Sequence, residues 1–319
     1  MDLNTLWFIL ITILFTGFFF LEGFDYGVGI LLPFLGKDDL ERRMIINSIG
    51  PVWDGNEVWM ITAGGALFAS FPSVYATLFS SFYLALVVML VALILRGVAF
   101  EFRGHREGSL WRQAWDWAIF TGSLLPALLW GVTVANLMRS FAIQADMNYY
   151  GGLLPLLNSY ALLGGLVFVS LFVMHGANFL TRKVSDPVLG RARKISFTAW
   201  IIATLLTVVF VVWTFFATDI LTRSGMNGLI PAVLSAVALV ITGWLIRRGR
   251  SGWAFLCGSL AIVFATWMVF AGLYPRILIS SLDPAWSLTI RNAASSPYTL
   301  KVMSIVAAIF VPVVLAYQG

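Results

Sequence analysis

Nine apolar runs dominate the sequence, and each is long enough to form a helix that crosses a lipid bilayer. A membrane-spanning helix needs about 20 mostly apolar residues. Of the 319 residues, 60% are hydrophobic and 11% are charged, whereas soluble proteins carry roughly 25% charged residues. This excludes a soluble enzyme and a disordered chain. The predicted spans are about 6–35, 52–70, 74–99, 116–138, 158–180, 198–218, 228–246, 253–274 and 299–318.

The basic residues indicate how these helices are oriented. Fourteen of the 20 lysines and arginines fall in the loops after the first, third, fifth and seventh spans, and only four fall on the opposite side. Cytoplasmic loops of membrane proteins carry an excess of basic residues. We therefore predict an all-α integral membrane protein, one polytopic domain over residues 1–319, with its N-terminus outside and its C-terminus cytoplasmic. The net charge of +5 then reflects membrane orientation and does not indicate a nucleic-acid partner.

Two pairs of acidic residues lie inside the first two predicted helices. Glu22 and Asp25 are on the first helix, and Asp54 and Glu57 are on the second. The i, i+3 spacing places both members of a pair on one helical face. Charges inside a membrane are costly, so these acids are hypotheses for a functional site. Both pairs lie near the cytoplasmic boundary, where they could face each other and relay protons, with Asn56 holding water between them.

A structural role for the same acids stays open at this stage. Asp54 could complement the positive N-terminus of its helix. Glu22 and Asp25 could pair with Arg42, Arg43 or an arginine of another subunit. On this interpretation the acids would stabilise the fold and move no protons.

Small residues on the first two helices predict close helix packing. Gly23 and Gly27 form a small-xxx-small ridge on the first helix, and Gly64 with Gly65 offers similar packing on the second. A helix that carries both a glycine ridge and an acidic face is not expected to lie free in lipid.

Histidine and cysteine are too scarce for a metal-rich chain. Only His105, His175 and Cys257 are present, so we predict no metal site and no set of haem ligands in this chain. His175 lies within the fifth predicted helix, where it could ligate haem iron or make a hydrogen-bonded packing contact. His105 lies in a basic loop and is expected to be solvated.

Several motifs carry a resemblance to a known family. Residues 22–29 resemble the GFDxGVG signature of subunit II of cytochrome bd quinol oxidase, and residues 42–59 resemble the longest motif of that family. Residues 61–69 continue the motif, and residues 112–117 supply a further match. The resemblance extends through nearly the whole chain and is densest in residues 22–83.

The resemblance implies a fold and an activity. It implies nine helices in two four-helix bundles plus a peripheral helix, in a bacterial cytoplasmic membrane. The implied complex oxidises quinol and reduces oxygen to water. Subunit I is expected to hold two b-type haems, one d-type haem and the quinol site, while this chain binds no cofactor. Expected partners are subunit I, lipid and, in some complexes, a small single-helix subunit.

The resemblance also implies roles for particular residues. Acids that match Asp25 and Asp54 are linked to proton delivery in the family, and the region of Trp53, Asn56 and Trp59 lies near a proposed oxygen entrance or interface. We therefore expect a haem-free subunit that supports subunit I, buries helices one to three in the interface and supplies cytoplasmic protons. The alternative is a stand-alone proton-coupled transporter that uses the same acids.

Two features depart from the family pattern. The loop between the sixth and seventh predicted helices, about 219–227, is shorter than in the best-known members. Family members usually continue into a charged cytoplasmic tail beyond the ninth helix. We therefore expect that the sequence, which reaches Gln318 at the close of this helix, lacks a tail that the family usually has.

Overall fold

A computed structural model describes residues 2–223 and 227–318. These residues contain eleven α-helices, of which eight are long and apolar enough to cross a membrane. The predicted all-α membrane class is confirmed. The helices are α1 (Leu3–Leu35), α2 (Asp39–Ile49), α3 (Trp53–Ser70), α4 (Pro72–Ser81), α5 (Tyr83–Phe102), α6 (Ser109–Arg139), α7 (Ser159–Lys183), α8 (Val188–Ala217), α9 (Leu229–Arg247), α10 (Ser251–Leu273) and α11 (Pro297–Gln318).

Helix α3 occupies the second predicted span but is not among the eight membrane-length apolar helices. It has 18 residues, and its first two turns carry Asp54, Asn56 and Glu57, which lower its mean hydropathy. Each of the other eight predicted spans overlaps a helix of sufficient length and hydropathy.

The third predicted span, 74–99, is broken in the structure into α4 and α5. The two helices meet at Phe82, just after Ser80 and Ser81. Both serine hydroxyls donate to the carbonyl of Thr77, at 3.0 and 2.5 Å respectively. Hydroxyl groups that bond to a preceding carbonyl compete with the helical ladder and bend helices. The prediction of one continuous helix was wrong because hydropathy does not register this competition.

The basic loop after α1 contains a helix, α2, that hydropathy does not detect. Its N-cap residue, Asp38, accepts a hydrogen bond from the backbone N–H of Glu41 at 2.9 Å. An acidic or hydroxyl residue followed three positions later by Glu is a signature of a helix N-terminus. Helix α2 joins α1 to α3 and packs against both α1 and α7.

Helix α1 lies at the centre of the chain. It packs against α3, α6, α7 and α10, and nearly every residue from Thr16 to Leu32 is buried. Helices α5 and α6 pack together, as do α7 with α8 and α9 with α10, while α11 contacts mainly α1. The second half of α1 is therefore enclosed by its own chain, whereas Ile9 and Ile13 in its first half are 40% and 48% exposed. The contact of helices one to three with another subunit stays a prediction.

The longer loops lie at the ends of the helices that are distant from the basic loops. Strands β1 (Arg276–Leu278) and β2 (Leu288–Thr289) form a short antiparallel hairpin there. The strand-like segment at Phe141 pairs with Ser280 beside it. Of the shortened loop 219–227, residues 224–226 lie outside the described part of the chain.

Candidate functional site

One buried arginine organises the acidic residues of α1 and α3. Nη1 of Arg96, on α5, donates to Oε1 of Glu22 at 2.6 Å and to Oε1 of Glu57 at 2.7 Å. The side chains of Arg96 and Glu22 have no exposed surface, and that of Glu57 is 20% exposed. Three helices are thereby joined through one guanidinium inside the membrane region.

Asp25 lies one turn beyond Glu22 and binds α3 through a different residue. Nδ2 of Asn56 donates to Oδ2 of Asp25 at 2.6 Å, and both residues are buried. The structure therefore brings together four of the residues singled out from the sequence, and we call Glu22, Asp25, Asn56 and Glu57, together with Arg96, the acidic cluster.

Aromatic rings enclose the guanidinium of the acidic cluster. The Cζ atom of Arg96 lies 4.9 Å from the ring centroid of Tyr26, 5.7 Å from that of Trp53 and 5.5 Å from that of Phe100. A cation over an aromatic face is attracted by the ring quadrupole, and more strongly where water is excluded. Trp53 therefore belongs to the wall of the cluster, whereas Trp59 packs against Gly17 of α1.

Several polar atoms of the cluster have no hydrogen-bond partner within the described residues. They are Oε2 of Glu22, Oδ1 of Asp25, the hydroxyl of Tyr26, and Nε and Nη2 of Arg96. Buried polar atoms in native proteins are normally paired, with protein or with ordered water. The cluster therefore has capacity for further hydrogen bonds on both its acidic and its basic side.

Asp54 does not join the cluster. It is exposed in the first turn of α3, and its side chain makes no hydrogen bond or ion pair with any other described residue. The expected encounter of Asp54 with the acids of α1 is therefore not found. Asn56 and Glu57 face α1 and α5 instead, because the rotation of α3 turns Asp54 outward.

The glycines fall into two groups. A Cβ atom on Gly23 would lie 2.7 Å from the ring of Phe172, and one on Gly27 would overlap the carbonyl oxygen of that residue, so both glycines lie directly against α7. A Cβ atom on Gly64 or Gly65 would meet no described atom within 4 Å. The close packing predicted for Gly64 and Gly65 is absent within the described chain, because their side of α3 is open.

Arg96 is a site residue that the sequence analysis did not identify. It lies within the long apolar run of α5, between Leu95 and Gly97. The rule that marks intramembrane acids as functional candidates applies equally to a lone arginine. The lone arginine was therefore visible in the sequence. Its partners on α1 and α3 could not be predicted, because they lie 74 and 39 positions away in the chain.

The arginines proposed as partners for Glu22 and Asp25 pair elsewhere or remain unpaired. Nη1 of Arg42 donates to Asp116 at 2.8 Å, and Nε of Arg103 donates to the other oxygen of Asp116 at 2.6 Å. Arg43 forms no ion pair with a described residue. Neither Arg42 nor Arg43 therefore pairs with Glu22 or Asp25, and the arginine that binds Glu22 is Arg96 of the same chain.

His175 has the geometry of a packing residue. It is fully buried, its Nε2 lies 3.0 Å from the carbonyl oxygen of Phe20, and its ring stacks on Phe255 at a centroid distance of 4.6 Å. Among the described residues, no group of three or more His, Cys, Asp or Glu side chains could hold a metal ion.

Comparison with known families identifies the chain. The family model described as cytochrome bd terminal oxidase subunit II matches residues 3–319. The chain belongs to this family. Membership makes it a subunit of a respiratory quinol oxidase and a multi-pass protein of the cytoplasmic membrane, and it does not favour a stand-alone transporter. As a subunit II of cytochrome bd, the chain forms a complex with a subunit I.

Individual relatives match over almost the full length. The chain is 42% identical to cytochrome bd ubiquinol oxidase subunit 2 of Bacillus subtilis, over 99% of this chain and 94% of the relative. It is 36% identical to cytochrome bd-I ubiquinol oxidase subunit 2 of Escherichia coli K12, over 99% and 92%. A chain of the bd oxidase structure from Geobacillus thermodenitrificans has the same fold, with a TM-score of 0.79, 19% identity and coverage of 100% and 98%.

Proposed function

We propose that this subunit supplies cytoplasmic protons for oxygen reduction through the acidic cluster. The observation that carries the proposal is the balance of charges: Glu22 and Glu57 share the guanidinium of Arg96, while Asp25 beside them is bound by the neutral amide of Asn56, so three carboxyl groups lie around one cation. If all three carboxyl groups were ionised, two negative charges would be uncompensated inside the membrane. Because uncompensated buried charge is costly, the cluster stabilises a bound proton that it can pass on.

The exposure of the acids supports a route into the cluster. Asp54 is exposed, Glu57 one turn later is 20% exposed, and Glu22 and Asp25 are fully buried. Protons would enter at Asp54 and Glu57 and pass inward to Glu22 and Asp25. The unpartnered carboxyl oxygens of Glu22 and Asp25 support water-mediated transfer along the last part of this route.

The proposed destination of the protons is subunit I. There, two b-type haems and one d-type haem would carry electrons from quinol to oxygen, and the reduction of oxygen to water consumes protons. Protons released from quinol would leave on the opposite side of the membrane, so turnover would be electrogenic. This chain would hold none of the haems, and a small single-helix subunit would complete the complex in some species.

The packing of the helices supports the proposed architecture. Helices α1, α3, α5 and α6 would form one four-helix bundle, α7 to α10 a second, and α11 the peripheral helix. In this single polytopic domain α3 would be the ninth crossing, with its polar first turns shielded by α1 and α5. The basic loops support an N-terminus outside and a C-terminus in the cytoplasm.

The outer face of α3 suits contact with subunit I, and the proposed oxygen entrance at Trp59 would lie on the other side of the helix, where Trp59 packs against Gly17 of α1. Val58 is 52% exposed and Ile61 is 68% exposed on the outer face, and Gly64 and Gly65 follow on the same helix without a partner in the described chain. Small and apolar residues permit close approach of another membrane helix. Trp53 and Asn56 lie on the inner side of α3, so their proposed contribution is to the wall of the acidic cluster.

The test uses the assembled complex with variants that remove one acid at a time. Asp25→Asn and Glu57→Gln should each slow oxygen consumption by roughly tenfold or more, because proton transfer by a positioned group commonly contributes 10²–10⁴-fold. Asp54→Asn should have a smaller effect, because bulk water competes with an exposed group. Glu101→Gln is the matched control, since Glu101 is an exposed acid on the same helix as Arg96.

Rates are to be normalised to haem content, so that loss of assembly is not mistaken for loss of transfer. In a single turnover, oxygen binding should keep its rate while the following proton-dependent step slows. Unchanged turnover in an assembled Asp25→Asn/Asp54→Asn double variant would remove the proton-supply role.

A further inference from the structure

A second charged feature lies outside the acidic cluster, where α2 meets the end of α7. A cavity of about 530 Å³ opens there, and its lining includes Leu40, Arg43, Met44 and Asn47 of α2 and Lys183 of α7. The four α2 residues are spaced i, i+3, i+4 and i+7, so they share one face of the helix. This face therefore presents two cations and an amide beside apolar side chains.

The two cations of this cavity have no carboxylate partner within the described residues. Neighbouring acids are bound elsewhere: Asp39 accepts from Arg103 and Arg112, at 2.9 and 2.8 Å, and Glu41 accepts from Arg191. The hydrogen bond from Arg191 lowers the pKa of Glu41, which keeps that acid ionised and engaged in its ion pair. Arg43 and Lys183 therefore form an uncompensated positive site.

The position of the cavity suits a lipid. It lies among the basic loops, and the exposed apolar surface of α2, where Leu40 is 72% exposed, adjoins it. Amphipathic helices of this kind rest in the membrane interface with their apolar side chains in the lipid. A lipid phosphate at this depth would meet Arg43 and Lys183 while its acyl chains covered Leu40 and Met44.

We propose that this cavity binds the headgroup phosphate of an anionic phospholipid from the cytoplasmic leaflet. The fork of the Arg43 guanidinium can donate two hydrogen bonds to a phosphate, the ammonium of Lys183 adds a second charge, and Asn47 adds an amide donor. The proposal is independent of proton transfer, because none of these residues belongs to the acidic cluster.

The test measures lipid retention by the whole complex in nanodiscs that contain phosphatidylglycerol and phosphatidylcholine in equal amounts. Native mass spectrometry then reports which lipid stays bound to the complex after the complex is released from the nanodisc. The wild-type complex should retain phosphatidylglycerol in preference to phosphatidylcholine. In Arg43→Gln/Lys183→Gln this preference should fall roughly tenfold or more, because each basic residue near anionic lipid contributes about a factor of five.

The matched control is Arg193→Gln/Lys194→Gln, which removes the same charge from two exposed residues on the same side of the membrane that do not line the cavity. It should retain phosphatidylglycerol like the wild type. Equal retention of the two lipids by the wild type, or equal losses in the two double variants, would overturn the proposal. Displacement of phosphatidylglycerol by an excess of sodium phosphate would show a site for free phosphate and overturn the lipid assignment.

The wild-type comparison needs no variant, so failure of the double variant to assemble does not prevent the test. In that case the single variant Lys183→Gln, at an exposed position, should still weaken the preference for phosphatidylglycerol. An unchanged preference in this variant would count against the site.

Discussion

Arg96 and Glu22 form an ion pair of 2.6 Å between α5 and α1, and neither side chain reaches the surface. The same guanidinium nitrogen also binds Glu57 of α3. Because an ionised arginine cannot be left unpaired inside a membrane, this contact restricts the rotation and depth of three helices at once. It is both a structural link and the centre of the proposed proton site.

Replacing the cation should destabilise the subunit strongly. In Arg96→Met, Glu22 and Glu57 keep their burial but lose their counter-ion, which typically costs about 3–5 kcal/mol. We expect a lower thermal unfolding temperature and less assembled complex, measured on purified protein. Arg193→Met, at an exposed position, should leave both quantities close to wild type.

A compensating variant tests whether this loss is electrostatic. Adding Glu22→Gln and Glu57→Gln to Arg96→Met removes the unpaired negative charges and should restore part of the stability. An Arg96→Met subunit as stable as the wild type would contradict the burial and pairing of Arg96.

The two groups of glycines should respond differently to an added methyl group. Gly27→Ala would force α1 away from the backbone of α7, and overpacking of this kind costs about 1–3 kcal/mol or more. Gly65→Ala meets open space within its own chain and should leave the thermal stability of this subunit unchanged or slightly higher. Equal destabilisation by both variants would show that the α1–α7 contact is looser than the structure indicates.

His175→Phe distinguishes a packing residue from a haem ligand. The phenyl ring can keep the stack on Phe255 but loses the contact with the carbonyl of Phe20, at a cost of about 1 kcal/mol. The reduced-minus-oxidised spectrum of the complex should keep all its haem bands. Loss of one band would show that His175 ligates a haem after all.

Stability should depend on pH partly through Glu41. The hydrogen bonds from Arg191 and from the backbone N–H of Lys37 lower the pKa of Glu41 in the folded state. Its contribution is therefore present above the ordinary pKa of a glutamate and is lost as the pH falls through the lowered folded-state value. The difference in unfolding temperature between wild type and Glu41→Gln should be largest near neutral pH and should vanish in acid. A difference that persists in acid would show that packing, and not charge, is responsible.

The acidic cluster shows how far the sequence leads towards the site. Glu22, Asp25 and Glu57 were visible as charges in apolar surroundings, and their i, i+3 spacing assigned each pair to one face. Asp54 is also a charge beside an apolar run, but its side chain points away from the acidic cluster. Sequence spacing does not determine how far a helix is rotated about its own axis. Arg96 was equally visible as a lone charge, but neither hydropathy nor spacing indicates which distant helix supplies its partners.

The sequence by itself determined the membrane class, the positions of the long helices and the uneven distribution of basic loops, because each depends on local hydropathy and charge. It also contained the cap of α2, in Asp38 and Glu41, although hydropathy did not reveal it. Only the tertiary structure decided that Gly27 is enclosed while Gly65 is open, that α4 and α5 separate at Phe82, and that Arg96 joins α1 to α3. These outcomes depend on contacts between residues far apart in the chain, and such contacts are set by how whole helices pack.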